Sequence, residues 1–153
     1  ELTEETVIEI AVDNSPSDKV YPQVADFTFY GGLYRDVNIL AVAKSHFDLD
    51  YYGGKGLMIT PEVKGTDAKI NVKTFVTNKT AEQKVKVDIK NAEGAIVASV
   101  TAENTEAELE IKNVHLWHGR KDPYLYRCEA SLVEGDKVVD TVSVVSNLLS
   151  NML

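Results

Sequence analysis

The chain has 153 residues, 44% of them hydrophobic, and a formal net charge of −8 at pH 7. This length suits one domain, or one domain plus part of another, and the apolar content is typical of a globular protein rather than a disordered one. The negative charge disfavours binding to nucleic acid or to an anionic membrane surface, and no apolar run approaches the roughly 20 residues of a membrane span.

The first 45 residues contain two predicted strands and one long connection. Val7–Val12 places Ile8, Ile10 and Val12 on one face, and Arg35–Val42 is apolar on both faces. The connection between them is rich in turn residues and aromatic rings. Two strands and a loop do not bury a core by themselves. We therefore expect this segment to be the end of a larger β-domain, with apolar edge strands that need partners.

From His46 onward the pattern changes to short strands separated by turns rich in Gly, Asn and Asp. Apolar and polar residues alternate in Lys69–Phe75 and Lys84–Ile89, which indicates one buried and one solvated face. The predicted strands are His46–Tyr51, Leu57–Val63, Ala68–Asn78, Gln83–Lys90, Ile96–Thr101, Ala107–Ile111, Leu125–Val133 and Lys137–Val144. About seven such strands in roughly 100 residues predict an all-β, immunoglobulin-like β-sandwich. Its bulkier packing would come from Trp117, Tyr124 and Tyr126.

Residues 146–153 form a short tail with four apolar side chains. This tail could be one or two helical turns that pack on the sandwich or self-associate. The predicted organisation is therefore a remnant of a preceding β-domain in residues 1–44, the sandwich in residues 45–145, and the tail.

Few residues suggest a catalytic or metal-binding role. Asp48 and Asp50 would share a strand face, and we interpret that face as solvated. His115 and His118 lie three residues apart beside Asp122, but the sequence offers no further zinc ligand at a diagnostic distance, so no metal site is expected. The only cysteine, Cys128, lies in a predicted strand and is expected to be a buried, inert thiol.

The long connection carries five aromatic rings. Such rings either stack on sugar rings or pack against a protein core, and ordinary packing is the favoured interpretation for each ring taken singly. These residues are Tyr21, Phe27, Phe29, Tyr30 and Tyr34.

Two stretches resemble the β-galactosidases and their relatives in glycoside hydrolase family 2. Tyr21–Val37, read as YPQVADFTFYGGLYRDV, is similar to the end of the family's N-terminal sugar-binding jelly roll. Asn113–Tyr126, read as NVHLWHGRKDPYLY, is similar to a late segment of its immunoglobulin-like second domain. The resemblance extends to about Val144 and fades in the tail.

The resemblance implies a modular, retaining glycoside hydrolase in which both catalytic glutamates lie in a (β/α)₈ barrel. A barrel of about 250 residues does not fit in this chain, so no catalytic residue is expected here. Asp26 matches a family aspartate on a loop that reaches the active site and contacts the sugar hydroxyls, and Arg35 matches a motif arginine that we interpret as structural. The resemblance further implies that the parent uses sodium or magnesium ions and that this chain holds no cofactor.

The sequence therefore predicts a non-catalytic scaffold fragment of a β-galactosidase-type hydrolase. The alternative is a stand-alone carbohydrate-binding or adhesive β-sandwich; a purely structural interaction domain is a third reading. The expected partner is a β-galactoside or related glycoside bound by the parent, with self-association through exposed edge strands as a further option. The acidic start, Glu1–Glu5, does not resemble a signal peptide, which slightly favours a cytoplasmic location.

Overall fold

A computed structural model describes residues 5–19 and 31–148 of the chain. The chain divides into two units, Glu1–Leu40 and Ala41–Leu153. The division lies a few residues before the boundary predicted from the sequence. No described helix is long and apolar enough to cross a membrane.

In the first unit, neither predicted strand is formed by the described residues. Residues 7–12 and 35–42 belong to no strand ladder, and the prediction for these segments was wrong, because a strand needs a hydrogen-bonded neighbour and no described residue pairs with them. Their apolar side chains are exposed; Ile39, for example, is 78% exposed. A local turn remains at Asp13, whose Oδ1 accepts a hydrogen bond from the Ser15 amide at 2.8 Å.

The second unit is a β-sandwich, as predicted. Its strands are β1 (His46–Phe47), β2 (Leu57–Lys64), β3 (Asp67–Thr74), β4 (Val76–Thr77), β5 (Gln83–Lys90), β6 (Ile96–Ala102), β7 (Glu106–Ile111), β8 (Tyr126–Glu134) and β9 (Lys137–Ser146). All pairings are antiparallel, in the orders β2-β3-β7 and β6-β5-β8-β9, with a short β1-β4 ribbon beside them. A three-stranded and a four-stranded sheet are the layers of an immunoglobulin-like sandwich.

Two predicted strands are shorter in the structure because of the backbone hydrogen bonds that Phe75 makes. The Phe75 amide donates to the Gly56 carbonyl at 2.9 Å, and the Phe75 carbonyl accepts from the Asp48 amide at 2.8 Å. The predicted strand Ala68–Asn78 therefore leaves β2 at this point and pairs with β1 instead, which splits it into β3 and β4. For the same reason the predicted strand His46–Tyr51 ends at Phe47, and residues 48–56 form a loop.

The core lies between the two sheets and is built from the inward positions of alternating strands. Along β8 every second residue from Tyr126 to Leu132 is buried, and β3 and β5 repeat this pattern. The largest fully buried side chains include Phe47, Ile70, Val87 and Leu132. Burying a side chain of this kind stabilises the fold by about 1.5–3 kcal/mol.

The outer faces of both sheets carry charged side chains, of which Asp88 on β5 is buried. On the three-stranded sheet, Lys69 pairs with Glu108 at 2.7 Å and Lys73 with Glu106 at 3.1 Å. Exposed pairs like these contribute little to stability but specify register and solubility.

Candidate functional site

The connection between β7 and β8, residues 112–125, is the longest irregular segment of the described sandwich, and we call it the crossover. Three backbone amides fix its first half. The Val114 amide donates to the Thr66 carbonyl at 2.8 Å, the His115 amide to the Tyr126 hydroxyl at 2.9 Å, and the Trp117 amide to the Leu148 carbonyl at 2.9 Å. The crossover is therefore attached to the β2–β3 turn, to β8 and to the segment that follows β9.

Tyr126 connects the crossover to the core. Its ring is buried at the start of β8, two residues before Cys128, and its hydroxyl accepts the bond from the crossover backbone. This arrangement resembles the tyrosine corner of immunoglobulin-like domains, in which a buried tyrosine at the same place on a late strand bonds to upstream backbone. Burial raises the pKa of the Tyr126 hydroxyl, which favours the neutral form that a buried site requires.

His115 and Asp122 close the second half of the crossover. His115 Nε2 lies 2.6 Å from Asp122 Oδ2, and the imidazole stacks on the Tyr124 ring with centroids 3.9 Å apart. The His118 amide donates to the Asp122 carbonyl at 2.8 Å, so the polypeptide folds back on itself here. His115 thus holds the loop through its side chain, and His118 through its backbone amide. Within residues 5–19 and 31–148 no three His, Cys, Asp or Glu side chains converge as metal ligands would.

The place where the chain enters the sandwich is equally well anchored. Phe47 is 1% exposed, and its amide donates to Asp140 Oδ2 at 2.8 Å across to β9. Just before β1, Ser45 Oγ donates to the Asn78 carbonyl at 2.8 Å and Asn78 Nδ2 donates to the Lys44 carbonyl at 3.1 Å. Asn78 has a φ of 53°, a left-handed conformation that asparagine tolerates better than most residues.

The place where the chain leaves the sandwich is held by Leu148. Its side chain is 2% exposed and belongs to the main core, and its carbonyl accepts the bond from Trp117. Of the predicted tail, Ser146 is the last residue of β9, residues 147 and 148 are not helical, and Leu148 packs on the sandwich, whereas 149–153 lie outside the described residues.

The structure locates only some of the residues singled out from the sequence. Asp26, the predicted substrate contact, and four of the five aromatic residues of the long connection lie outside the described residues. The fifth, Tyr34, is exposed, and the guanidinium of Arg35 lies 5.4 Å from its ring centroid. Those roles stay predictions.

Asp48 and Asp50 do not share a strand face. Both lie in the loop after β1, where Asp48 Oδ1 accepts a hydrogen bond from the Asp50 amide at 2.9 Å. Such a local bond is a turn-forming role for an aspartate. The prediction of a strand here was wrong.

Cys128 is buried in β8 without a disulfide, as expected. Burial, together with the nearby Asp88 and Glu129 carboxylates, raises its pKa to about 12. A thiol in this environment stays protonated at neutral pH and is a poor nucleophile.

Sequence reasoning missed Asp140 and Asn78 as anchors. The available signal for Asp140 was a carboxylate among the three valines of Val138–Val142, where a charge requires a partner if the strand is buried. For Asn78 the signal was an asparagine directly after a strand, which favours a left-handed turn residue.

Three comparisons place the chain among known proteins. The family model "Glycosyl hydrolases family 2" matches residues 55–145. A β-glucuronidase of Bacteroides fragilis is 26% identical over 92% of this chain and 22% of that protein, and a β-galactosidase of Thermoanaerobacter pseudethanolicus is 24% identical over 89% and 19%. The crystal structure of an FMN-binding β-glucuronidase from Facaelibacterium prausnitzii L2-6 superposes with a TM-score of 0.81 at 38% identity, over 88% of this chain and 21% of that one. The chain thus spans about a fifth of the length of the relatives it matches.

Proposed function

Because this chain belongs to the glycosyl hydrolases of family 2, we propose that it is a non-catalytic scaffold within a larger glycoside hydrolase. The sandwich would hold the segment that precedes it and the segment that follows it in fixed positions. One observation supports this function most directly: the chain is locked into the core both where it enters the sandwich, at Phe47, and where it leaves it, at Leu148.

A domain that keeps its two neighbouring segments in fixed relative positions needs rigid ends, because a flexible linker lets its neighbours move independently. Here each end combines a buried apolar side chain with hydrogen bonds to a distant strand or loop, through Asp140 at the beginning and Trp117 at the end. A flexible linker would have neither the buried side chain nor these hydrogen bonds.

The substrate class follows from the family and from the relatives' names. Those relatives are β-glucuronidases and a β-galactosidase, so we expect the parent to hydrolyse a β-glycoside with catalytic residues outside this chain. Asp26 would contact the substrate hydroxyls from the preceding segment, because a carboxylate accepts two hydrogen bonds from neighbouring hydroxyls. No role in binding sodium, magnesium or another cofactor is assigned to the described residues.

The first experiment tests catalysis by this chain alone. Purified chain incubated with aryl β-galactoside and aryl β-glucuronide should release no chromophore above the background of a mock purification. Turnover that rises with protein concentration and survives further purification would overturn the proposal.

The second experiment tests the scaffold role in the full-length parent. Leu148→Ala loosens the end of the sandwich and should lower kcat/KM on an aryl glycoside about 10-fold or more, since a misplacement of about 1 Å can cost 100-fold. A matched control is Val138→Ala, an exposed position on β9, the strand that precedes Leu148. Equal kinetics for the two variants, with Leu148→Ala folded at the assay temperature, would contradict the scaffold role.

The third experiment addresses Asp26. Asp26→Ala in the parent should cut kcat/KM by a factor corresponding to several kcal/mol, whereas Asp18→Ala, a loop aspartate nearby in sequence, should not. Unchanged kinetics for Asp26→Ala would reject its proposed substrate contact while leaving the scaffold role intact.

A further inference from the structure

Three aromatic rings meet on the surface of the sandwich where the loop 48–56 lies against the end of β3. Tyr51 stacks on Phe75 with ring centroids 4.1 Å apart and an interplanar angle of 16°, and Tyr52 stands edge-on to Tyr51 at 5.1 Å and 79°. We call these three residues the aromatic corner. The Tyr51 and Tyr52 rings therefore stand at nearly a right angle to one another and do not form one flat patch.

Tyr52 lies in a turn whose backbone conformation is unfavourable for tyrosine. The Gly54 amide donates to the Tyr51 carbonyl at 2.7 Å, and the two central residues, Tyr52 and Gly53, have φ values of 49° and 66°. Positive φ at both central positions defines a type I′ turn, in which Asn, Asp or Gly is favoured. A tyrosine is strained there, because its Cβ crowds the following carbonyl oxygen. Its side chain is 94% exposed, so core packing offsets none of that strain.

The charged side chains near the corner in the structure or in the chain differ in whether they already have a hydrogen-bond or ion-pair partner. Lys55 Nζ donates to the Ser143 carbonyl at 3.0 Å, and Lys73 Nζ, 5.9 Å from the Phe75 ring centroid, pairs with Glu106 at 3.1 Å. Both local lysines are therefore engaged. By contrast, no hydrogen bond or ion pair to the Asp50 carboxylate occurs within the described part of the chain. The Asp50 carboxylate, one residue before Tyr51 in the same loop, is therefore a hydrogen-bond acceptor left for a ligand.

An open depression adjoins the corner on the outer face of the three-stranded sheet. It has a volume of about 360 Å³, and Met58, Thr60 and Asn71 contribute to its lining. The Tyr51 hydroxyl lies 3.5 Å from Met58 Sδ, so the corner and the depression share a border. A ligand lying on the rings has room to extend over the sheet.

We propose that the aromatic corner binds one to two residues of a neutral, β-linked oligosaccharide. The C–H faces of β-linked hexopyranoses are apolar and pack on aromatic rings, while their hydroxyls donate to an acceptor such as Asp50. A uronic acid is disfavoured, because the free local group is a carboxylate and the chain carries a net charge of −8. This site lies in the sandwich and does not include Asp26, and it would let the domain hold a polymeric substrate while the catalytic residues elsewhere cleave it.

The test is affinity electrophoresis of the full chain in gels containing soluble β-1,4-galactan or mixed-linkage β-glucan, with gels containing polygalacturonate as the anionic comparison. The neutral polymers should retard the chain and polygalacturonate should not. Tyr52→Ala should weaken retardation about 3- to 10-fold, since one stacked ring contributes about 0.5–1.5 kcal/mol. Tyr52→Phe, which keeps the ring, should bind like the unmodified chain.

Tyr34→Ala is the matched control, because Tyr34 is also a highly exposed tyrosine but lies outside the corner. Retardation abolished by Tyr34→Ala and unaffected by Tyr52→Ala would place sugar binding elsewhere and overturn the proposal. No retardation by either neutral polymer would also overturn it. Dimerisation in analytical ultracentrifugation that Tyr52→Ala abolishes would assign the corner to a second copy of the chain instead. None of these outcomes depends on catalysis by the parent, so they are separable from the tests of the scaffold role.

Discussion

Replacing Tyr126 by phenylalanine should release the crossover without disturbing the core. The change deletes only the hydroxyl that accepts the His115 amide at 2.9 Å, and the buried ring stays in place. The free energy of unfolding should fall by about 1–2 kcal/mol, because a partly buried amide loses its acceptor. For a unit of this size that loss lowers Tm by about 4–8 °C.

The chain offers a convenient assay for this variant. Trp117 is its only tryptophan and lies on the crossover, so urea unfolding followed by tryptophan fluorescence reports on this segment. Amide hydrogen exchange should show faster exchange at His115 in Tyr126→Phe, while amides in the centre of β8 keep their protection.

The matched control is Tyr124→Phe on the same segment. The Tyr124 hydroxyl accepts from the Ala92 amide at 3.2 Å at an exposed site, so its loss should cost less than about 0.5 kcal/mol. If Tyr126→Phe loses no more stability than Tyr124→Phe, or if exchange at His115 is unchanged, the anchoring role of Tyr126 is refuted.

Three further outcomes are expected. The pKa of Cys128 is raised to about 12, so the folded state favours the thiol; the stability this provides is complete below the unfolded pKa of about 9 and is lost as pH rises toward 12. Urea titrations should therefore show a loss of at most about 1.4 kcal/mol per pH unit above pH 9 that Cys128→Ala lacks. Asp140→Ala should lower the free energy of unfolding by about 1.5–3 kcal/mol and speed amide exchange in β1, with Asp140→Asn intermediate, because the β1 amide loses a charged acceptor; wild-type exchange in β1 would contradict this. Gly56→Ala should lower Tm much more than Gly65→Ala, although both glycines have a φ of 62°. A Cβ at Gly56 would lie 2.8 Å from Asp48 backbone atoms, whereas one at Gly65 would meet nothing within 4 Å. Equal Tm values for the two variants would exclude this steric explanation.

Much of the sandwich was predictable because strand formation at its centre depends on local pattern. Gln83–Lys90 was predicted with the bounds that β5 has, and β2, β6, β7, β8 and β9 differ from prediction by one or two residues at an end. In these segments one face is buried, so a period of two appears directly in the sequence. The first unit shows the limit of this reasoning: residues 7–12 have the same pattern but no ladder.

The candidate site was less accessible. The sequence identified the crossover as a long connection and His115, Trp117 and Asp122 as residues of interest, but it gave them no partners. In the structure His115 stacks on Tyr124 and bonds to Asp122. Stacking and hydrogen bonding inside an irregular segment depend on backbone conformation, which periodicity does not encode.

By itself, the amino-acid sequence determined the β-class, most of the strands, which residues face the core and the resemblance to family 2, because these follow from local alternation and from short motifs. Only the tertiary structure decided the break at Phe75, the burial of Leu148 and the bond between Phe47 and Asp140, which are 93 positions apart. The physical reason is that each of these features needs the two sheets to have closed on one another. A contact between distant segments has no local signature, and its partners are chosen by the packing that brings them together.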